Sequence, residues 1–347
     1  MDGEAWMADE RKLIDRDLWT SPKTRAAQRK AESITLNDYA DRWIEQRNVK
    51  PNTRIEYTRT KARLIKDTLG KLSLRDIGPD MVRAWYATLG TTTPRATSHA
   101  YGLVHAVLNT AVADQLIPAN PAMIARAMNP QRKREPVILT VPELAKVADA
   151  IKPEQLRCFV LVAAWCGLRW GETIELRRKD IDDTCEIIVV SRAVSHRGKR
   201  EPGDPKPPNG CTGRIDTPKS GKVRAVVVPP HIRADLKHHL EVYVAKSPEA
   251  LMFPALRDGC HLNDSVFAKH FAPALKTIGR EKVRIHDLRH FSGAQTARVG
   301  NLAESMQRLG HSTARASMIY QHMVSGRDAA VAEALSVLAK GGSDPIK

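Results

Sequence analysis

The sequence predicts a mainly helical protein with one small antiparallel sheet, an α+β chain in two domains. Three observations carry this. Helix-start signals followed by 3.6-residue apolar periodicity recur through residues 31–128 and again beyond 137. The one stretch with strand chemistry lies between 185 and 228. A basic, proline-flanked break, NPQRKREP, fills residues 129–136. A length of 347 residues also exceeds one ordinary core.

Residues 4–18 read as a helix, and the basic segment SPKTRAAQRKAES after them reads as linker or a second short helix, so 1–30 form an N-terminal helix and linker. Thr35 with Asp38 opens a capping box ahead of an amphipathic run that puts Leu36, Tyr39, Trp43 and Ile44 on one face. Pro51 starts a helical segment in which Lys50, Arg54, Arg59, Lys61, Arg63 and Lys66 outnumber one acid, Glu56. Further starts stand at Pro79-Asp80 and Thr93-Pro94, the second feeding a stripe of Tyr101, Val104, Leu108 and Ala111. Residues 31–128 are thus a helical domain, 129–136 a linker that includes Lys133, 137–340 the second domain and 341–347 a tail. In the second domain Thr140 with Glu143 opens a capping box, and residues 153–178 carry two helices broken at Gly167. CEIIVVSRAV and VRAVVV supply the strands, on either side of an exposed Gly/Pro-rich insert. Helices return from Pro230, with turns at Pro254 and around Gly259, Gly300 and Gly310.

Fifty-five Lys and Arg against 39 Asp and Glu leave a formal charge of +16, which calls for a polyanionic partner. The charged amino terminus lacks an apolar signal region, and the longest apolar run, Cys158 to Leu168, is too short to span a bilayer. No membrane association and a cytoplasmic location are expected. Five cysteines without a CxxC pair argue against a disulfide scaffold and against thiolate zinc, so reduced, mostly packed thiols are expected.

The chemistry concentrates in CGLRWGE at 166–172, IHDLRH at 285–290 and LGHSTARASMIYQH at 309–322. A tyrosine hydroxyl among arginines and histidines has the makings of a phosphoryl-transfer site. His286 and Arg289 are three apart and share a helix face, with Leu288 and Phe291 toward the core. Asn301 with Glu304 begins a helix that Gly310 ends in a left-handed conformation, holding His311 just past it; Ser312 or Thr313 caps the helix of Tyr320. Arg169 follows the Gly167 break, with Glu172 positioned to brace its guanidinium. Lys219 sits in the turn between the strands, where a hairpin tip can carry an ammonium into a site, and Lys222 shares that turn. A zinc reading of His286 and His290 is disfavoured because Asp287 replaces the HExxH glutamate and Arg289 adds a cation. No metal and no cofactor are expected.

Together these motifs resemble the tyrosine recombinase family, the phage integrases, over residues 31–340, and the wording looks most like integrases of actinobacterial phages or integrative elements. The family signature falls on Arg169, Lys219, His286, Arg289, His311 and Tyr320, the last nine residues beyond its histidine. The resemblance implies a helical core-binding domain joined to a catalytic domain in a C-shaped DNA clamp. It implies a site-specific recombinase that integrates or excises a phage or mobile element through a 3′-phosphotyrosyl intermediate. Tyr320 is then the nucleophile, Arg169 and Arg289 hold the phosphate oxygens, His286 takes the tyrosine proton, Lys219 protonates the leaving 5′ oxygen and His311 adds a hydrogen bond. Double-stranded attachment-site DNA is the implied partner, with Lys50, Arg54, Arg59, Lys61, Arg63, Lys133 and Lys222 as its contacts. A tetramer on DNA, a host bending factor and an excisionase complete the implied assembly.

Residues 4–20 resemble the helix that follows an arm-binding domain, so the chain reads as a short form or as one that begins partway through such a domain. The segment Ser325–Leu338 is expected to pack on a neighbouring protomer or to fold back on its own domain. Rival readings are a type IB topoisomerase, a chromosome-dimer resolvase and a DNA-binding regulator that has lost catalysis.

Overall fold

The computed structural model describes residues 3–25, 34–129, 134–195 and 213–310, with Thr313, Ala314 and Met318. The chain divides into two compact units, Met1–Lys133 and Arg134–Lys347, each with its own apolar core.

The first unit is helical: α1 (Gly3–Asp15), α2 (Leu36–Gln46), α3 (Pro51–Leu64), α4 (Pro79–Thr88) and α5 (Pro94–Ala113). Thr35 caps α2 by accepting the backbone N–H of Asp38, and Leu36, Tyr39, Trp43 and Ile44 are all buried. They pack toward α5, whose Tyr101, Val104, Leu108 and Ala111 are buried in turn. Trp43 Nε1 donates to Thr110 Oγ1 at 2.7 Å, which satisfies the buried indole N–H. The cationic helix α3 carries one correction. Lys61, expected on a DNA-facing surface, is 7% exposed and pairs with Asp41 and the Asn37 carbonyl. Its position on the helix turns it toward α2, where a solitary ammonium would be costly, so it recruits a carboxylate.

The second unit is built around α7 (Gln155–Trp165), eight of whose 11 residues are buried. Before it comes α6 (Val141–Ala150), closed at its start by the Thr140/Glu143 capping box. After it, Gly167 at φ +66° breaks the helix and a short α8 (Trp170–Thr173) follows. Phe159, fully buried, centres an aromatic cluster with Trp170, Phe253 and Phe267 at 4.5–5.3 Å between ring centroids. The remaining helices bounded within the described residues are α9 (Pro230–Val242), α10 (Asp264–Lys276), α11 (Ile285–Val299) and α12 (Leu302–Leu309). No helix among the described residues is long and apolar enough to cross a membrane.

The strands form two short antiparallel pairs where one sheet was expected: β1 (Ile187–Val190) with β4 (Arg224–Val227), and β2 (Ala193–Ser195) with β3 (Arg214–Asp216). Val190 pairs with Arg224 and Ala193 with Asp216. On one side of the ribbon only residues 191 and 192 separate the pairs; on the other, residues 217–223 leave it as an excursion. The mismatch splits the ladder.

Cys158, Cys166 and Cys185 are buried free thiols, and burial pushes Cys166 up to about 12. Cys260 departs from the expectation of reduced thiols: it is disulfide-bonded. An odd cysteine count excludes complete pairing but not a single bridge. Phe159→Ala should destabilise the second unit by about 3–5 kcal/mol, the usual cost of emptying a buried aromatic site. Chemical denaturation checks this, and a loss below about 1 kcal/mol would remove the aromatic cluster from its central place.

Candidate active site

The site is assembled at the left-handed end of α12. Asn301 and Glu304 start that helix with a reciprocal capping box, and Gly310 ends it at φ 60°, ψ 49°. This conformation turns the last carbonyls out of the helix, where they need donors. Two arginines from distant parts of the chain supply them. Arg289 Nη2 donates to the Leu309 carbonyl and Nη1 to that of Gly167, while Arg169 Nη2 donates to the Gly310 carbonyl at 3.0 Å. Arg289 is 3% exposed; Arg169, on the rim, keeps about a quarter of its side chain open.

Arg169 is held from behind by Glu172. The carboxylate accepts the Arg169 backbone N–H and its Nη1, both at 2.9 Å, and also receives a fork from Arg224 at 2.7 and 3.1 Å. Burial alone would push the Glu172 carboxyl up, yet the Arg224 fork and the Arg169 contacts hold it below the ordinary carboxylate value. One buried anion therefore locks two cations in fixed geometry. Arg224 also packs on Gly310: a Cβ built there would stand 3.2 Å from three atoms of its side chain.

Arg224 is a site residue that the sequence does not single out. Its strand position carried a signal. In β4 and just beyond it, Arg224 shares a face with Val226 and Val228, both buried, and an inward-facing arginine requires a buried acid.

Helix α11 presents His286, with Leu288 and Phe291 buried beneath it. Partial burial, then Arg289, Arg169 and Lys219, lower the His286 imidazole below its ordinary value; Asp287 opposes them. Lys219 lies on the 217–223 excursion rather than at a hairpin tip, in a turn closed by Gly221 N–H to the Pro218 carbonyl at 2.8 Å. Both Lys219 and Lys222 are exposed, and Lys219 is among the charges that lower His286. The His286 and His290 rings meet edge to face at 4.9 Å, and Asp287 pairs with Arg134.

The structure thus brings together Arg169, Glu172, His286, Arg289 and Lys219, with Arg224 added. His311, Tyr320 and Lys133 lie outside the described residues, as does Ser325–Leu338. On α3 and just before it, Lys50, Arg59 and Arg63 are exposed, whereas Arg54 is half-buried and donates to the Arg47 carbonyl at 2.9 Å.

Two oriented guanidinium groups beside a neutral-leaning imidazole and an ammonium define a site for an oxyanion that gains charge during reaction, as in phosphoryl transfer. The phage integrase family model matches residues 139–326. The chain is 40% identical over 343 residues to the putative prophage phiRv2 integrase of Mycobacterium tuberculosis, covering 98% of this chain and 87% of that protein. It is 39% identical over 345 residues to the integrase of Mycobacterium phage L5, covering 98% and 89%. Among solved structures, the Tn1549 transposon integrase in complex with transposon right end DNA matches with a TM-score of 0.70 at 20% identity, covering 88% of this chain and 100% of that one. A lambda integrase tetramer bound to a Holliday junction matches at 0.62 and 18%, covering 90% and 88%. At such identities these two likenesses concern the fold. The chain belongs to the phage integrase family, the tyrosine site-specific recombinases.

Replacing Glu172 by Gln should leave two guanidinium groups without their anion. About 3–5 kcal/mol of stability is expected to go with it, seen as a lower thermal midpoint, together with a loss of strand cleavage; an unchanged midpoint would contradict the locking role.

Proposed function

We propose that the chain integrates and excises a phage or mobile element by breaking and rejoining DNA at attachment sites through Tyr320. The observation that carries the reading is the double arginine grip on the Leu309 and Gly310 carbonyls. It supports a site in which Arg169, Arg289 and, one residue past Gly310, His311 address one phosphate.

In this reading the Tyr320 hydroxyl attacks the scissile phosphorus, forming a 3′-phosphotyrosine and releasing a 5′-hydroxyl. Attack of a partner strand's 5′-hydroxyl on the phosphotyrosine reverses the step, so the phosphodiester energy is kept. A phenol of pKa about 10 is ionised only about one part in a thousand at pH 7, a deficit of roughly 4 kcal/mol. His286, lowered toward its neutral form, serves as acceptor for that proton. Lys219 serves as donor to the leaving 5′ oxygen, and Arg169 and Arg289 bind the non-bridging oxygens as charge develops. The exposed cations Lys50, Arg59, Arg63 and Lys222, with Lys133 and the half-buried Arg54, supply phosphate contacts along the duplex. Assembly as a tetramer on DNA, with a host bending factor and an excisionase, in a bacterial cytoplasm, belongs to the same reading.

On a nicked suicide substrate the protein should accumulate a covalent DNA complex, and Tyr320→Phe should form none. A complex formed equally by that variant would move the nucleophile elsewhere. The cleavage rate should stay high until pH falls below the ordinary imidazole range, because a lowered His286 becomes protonated, and so useless as an acceptor, only there. A stopped-time pH profile reads this limb. DNA affinity should fall steeply with salt, by roughly tenfold or more between 50 and 200 mM, measured by fluorescence anisotropy; a flat dependence would remove the cationic clamp.

A further inference from the structure

The segment that opens the second unit runs onto the helix of His286. Arg134 is the first residue of that unit, and its Nη2 donates to Asp287 Oδ2 at 2.8 Å and to the Lys282 carbonyl. The same Oδ2 accepts the backbone N–H of Arg284 at 2.9 Å, which caps the first turn of α11. Asp287 is 4% exposed, so its carboxylate is nearly sealed from water, and Arg134 is its cationic partner among the described residues. Nothing in the family signature called for either side chain.

The charges around His286 make this pair consequential. Arg289 on α11, Arg169 at the head of α8 and Lys219 on the excursion all favour the neutral imidazole; Asp287, one residue away, favours the cation; the His290 ring stands edge to face at 4.9 Å. We infer that Arg134 is a positioning residue for strand cleavage: it clasps Asp287, fixes the first turn of α11 and cancels the carboxylate beside His286, so that this imidazole meets the nucleophile's proton as an acceptor. The inference rests on the reading of His286 as that acceptor. Its physical basis is that a nearly buried carboxylate deprived of its cation acts on its neighbours through a poorly screening medium.

The test uses the full chain in two measurements: the titration of the His286 imidazole by NMR without DNA, and the pH profile of cleavage on a nicked suicide substrate. Arg134→Gln should raise the His286 midpoint and move the acid limb of cleavage upward with it. Below the wild-type midpoint each half unit of that movement costs about threefold in rate. Asp287→Asn should move both in the opposite direction. The double variant should lie closer to Asp287→Asn than to Arg134→Gln in the His286 midpoint, since Arg134 reaches that imidazole mainly through the carboxylate. Arg134→Lys, which keeps a cation but not the fork, should fall between wild type and Arg134→Gln and carries the test if the latter does not fold.

An Arg134→Gln protein that cleaves more slowly by the same factor at every pH, with the imidazole midpoint unmoved, has lost only a structural contact and overturns the inference. The reading of His286 fails differently: the acid limb then persists in His286→Asn, whatever the NMR midpoint of the Arg134 variants does.

Discussion

The end of one short helix organises the catalytic unit. By finishing α12 in a left-handed conformation, Gly310 leaves the Leu309 and Gly310 carbonyls pointing out of the helix, and Arg289 and Arg169 answer them. Those arginines come from 20 and 141 residues away in sequence. A helix terminus that ordinarily needs only water thus draws two guanidinium groups to one corner. Every other feature of the site follows from holding them there: the Gly167 break that offers Arg289 a second carbonyl, the buried Glu172 behind Arg169, and Arg224 packed on Gly310.

A cation cluster of this kind stays folded because it is not left to itself. Glu172 serves Arg169 and Arg224 together, and Asp287 takes Arg134. A buried pair of this sort contributes little net stability against an apolar substitute, yet breaking one partner is expensive. The benefit lies in geometry. Guanidinium groups already oriented by carboxylates and carbonyls need little reorganisation when charge develops on a phosphate. Burial and the same cations bias His286 toward its neutral form, so that in the proposed mechanism one arrangement of charge serves both the electrophile and the base.

Much of this was legible in the sequence because it is local. The capping boxes at Thr140 and Asn301, the buried stripes of α2 and α5, and the left-handed Gly310 are decided within a few residues, and the structure has them as expected; at Thr35 the side chain caps Asp38 N–H without the reciprocal half of the box. The motif spacings likewise pointed to the phage integrase family. Less legible were features set by which face of an element meets another. Lys61 looks like its cationic neighbours on α3, but its position turns it onto Asp41. The strands were readable; the excursion at 217–223 that splits them and sets Lys219 mid-ribbon depends on cross-strand register.

By itself, then, the sequence determined the helical elements, the mainly α character and the family, since periodicity, capping and motif spacing are properties of neighbouring residues. Only the tertiary structure decided which charges are exposed and which are consumed inside, and that Arg224 pairs with Glu172 and Arg134 with Asp287. The physical reason is that an ion pair is a contact between residues 52 or 153 apart, and no local pattern specifies its partner.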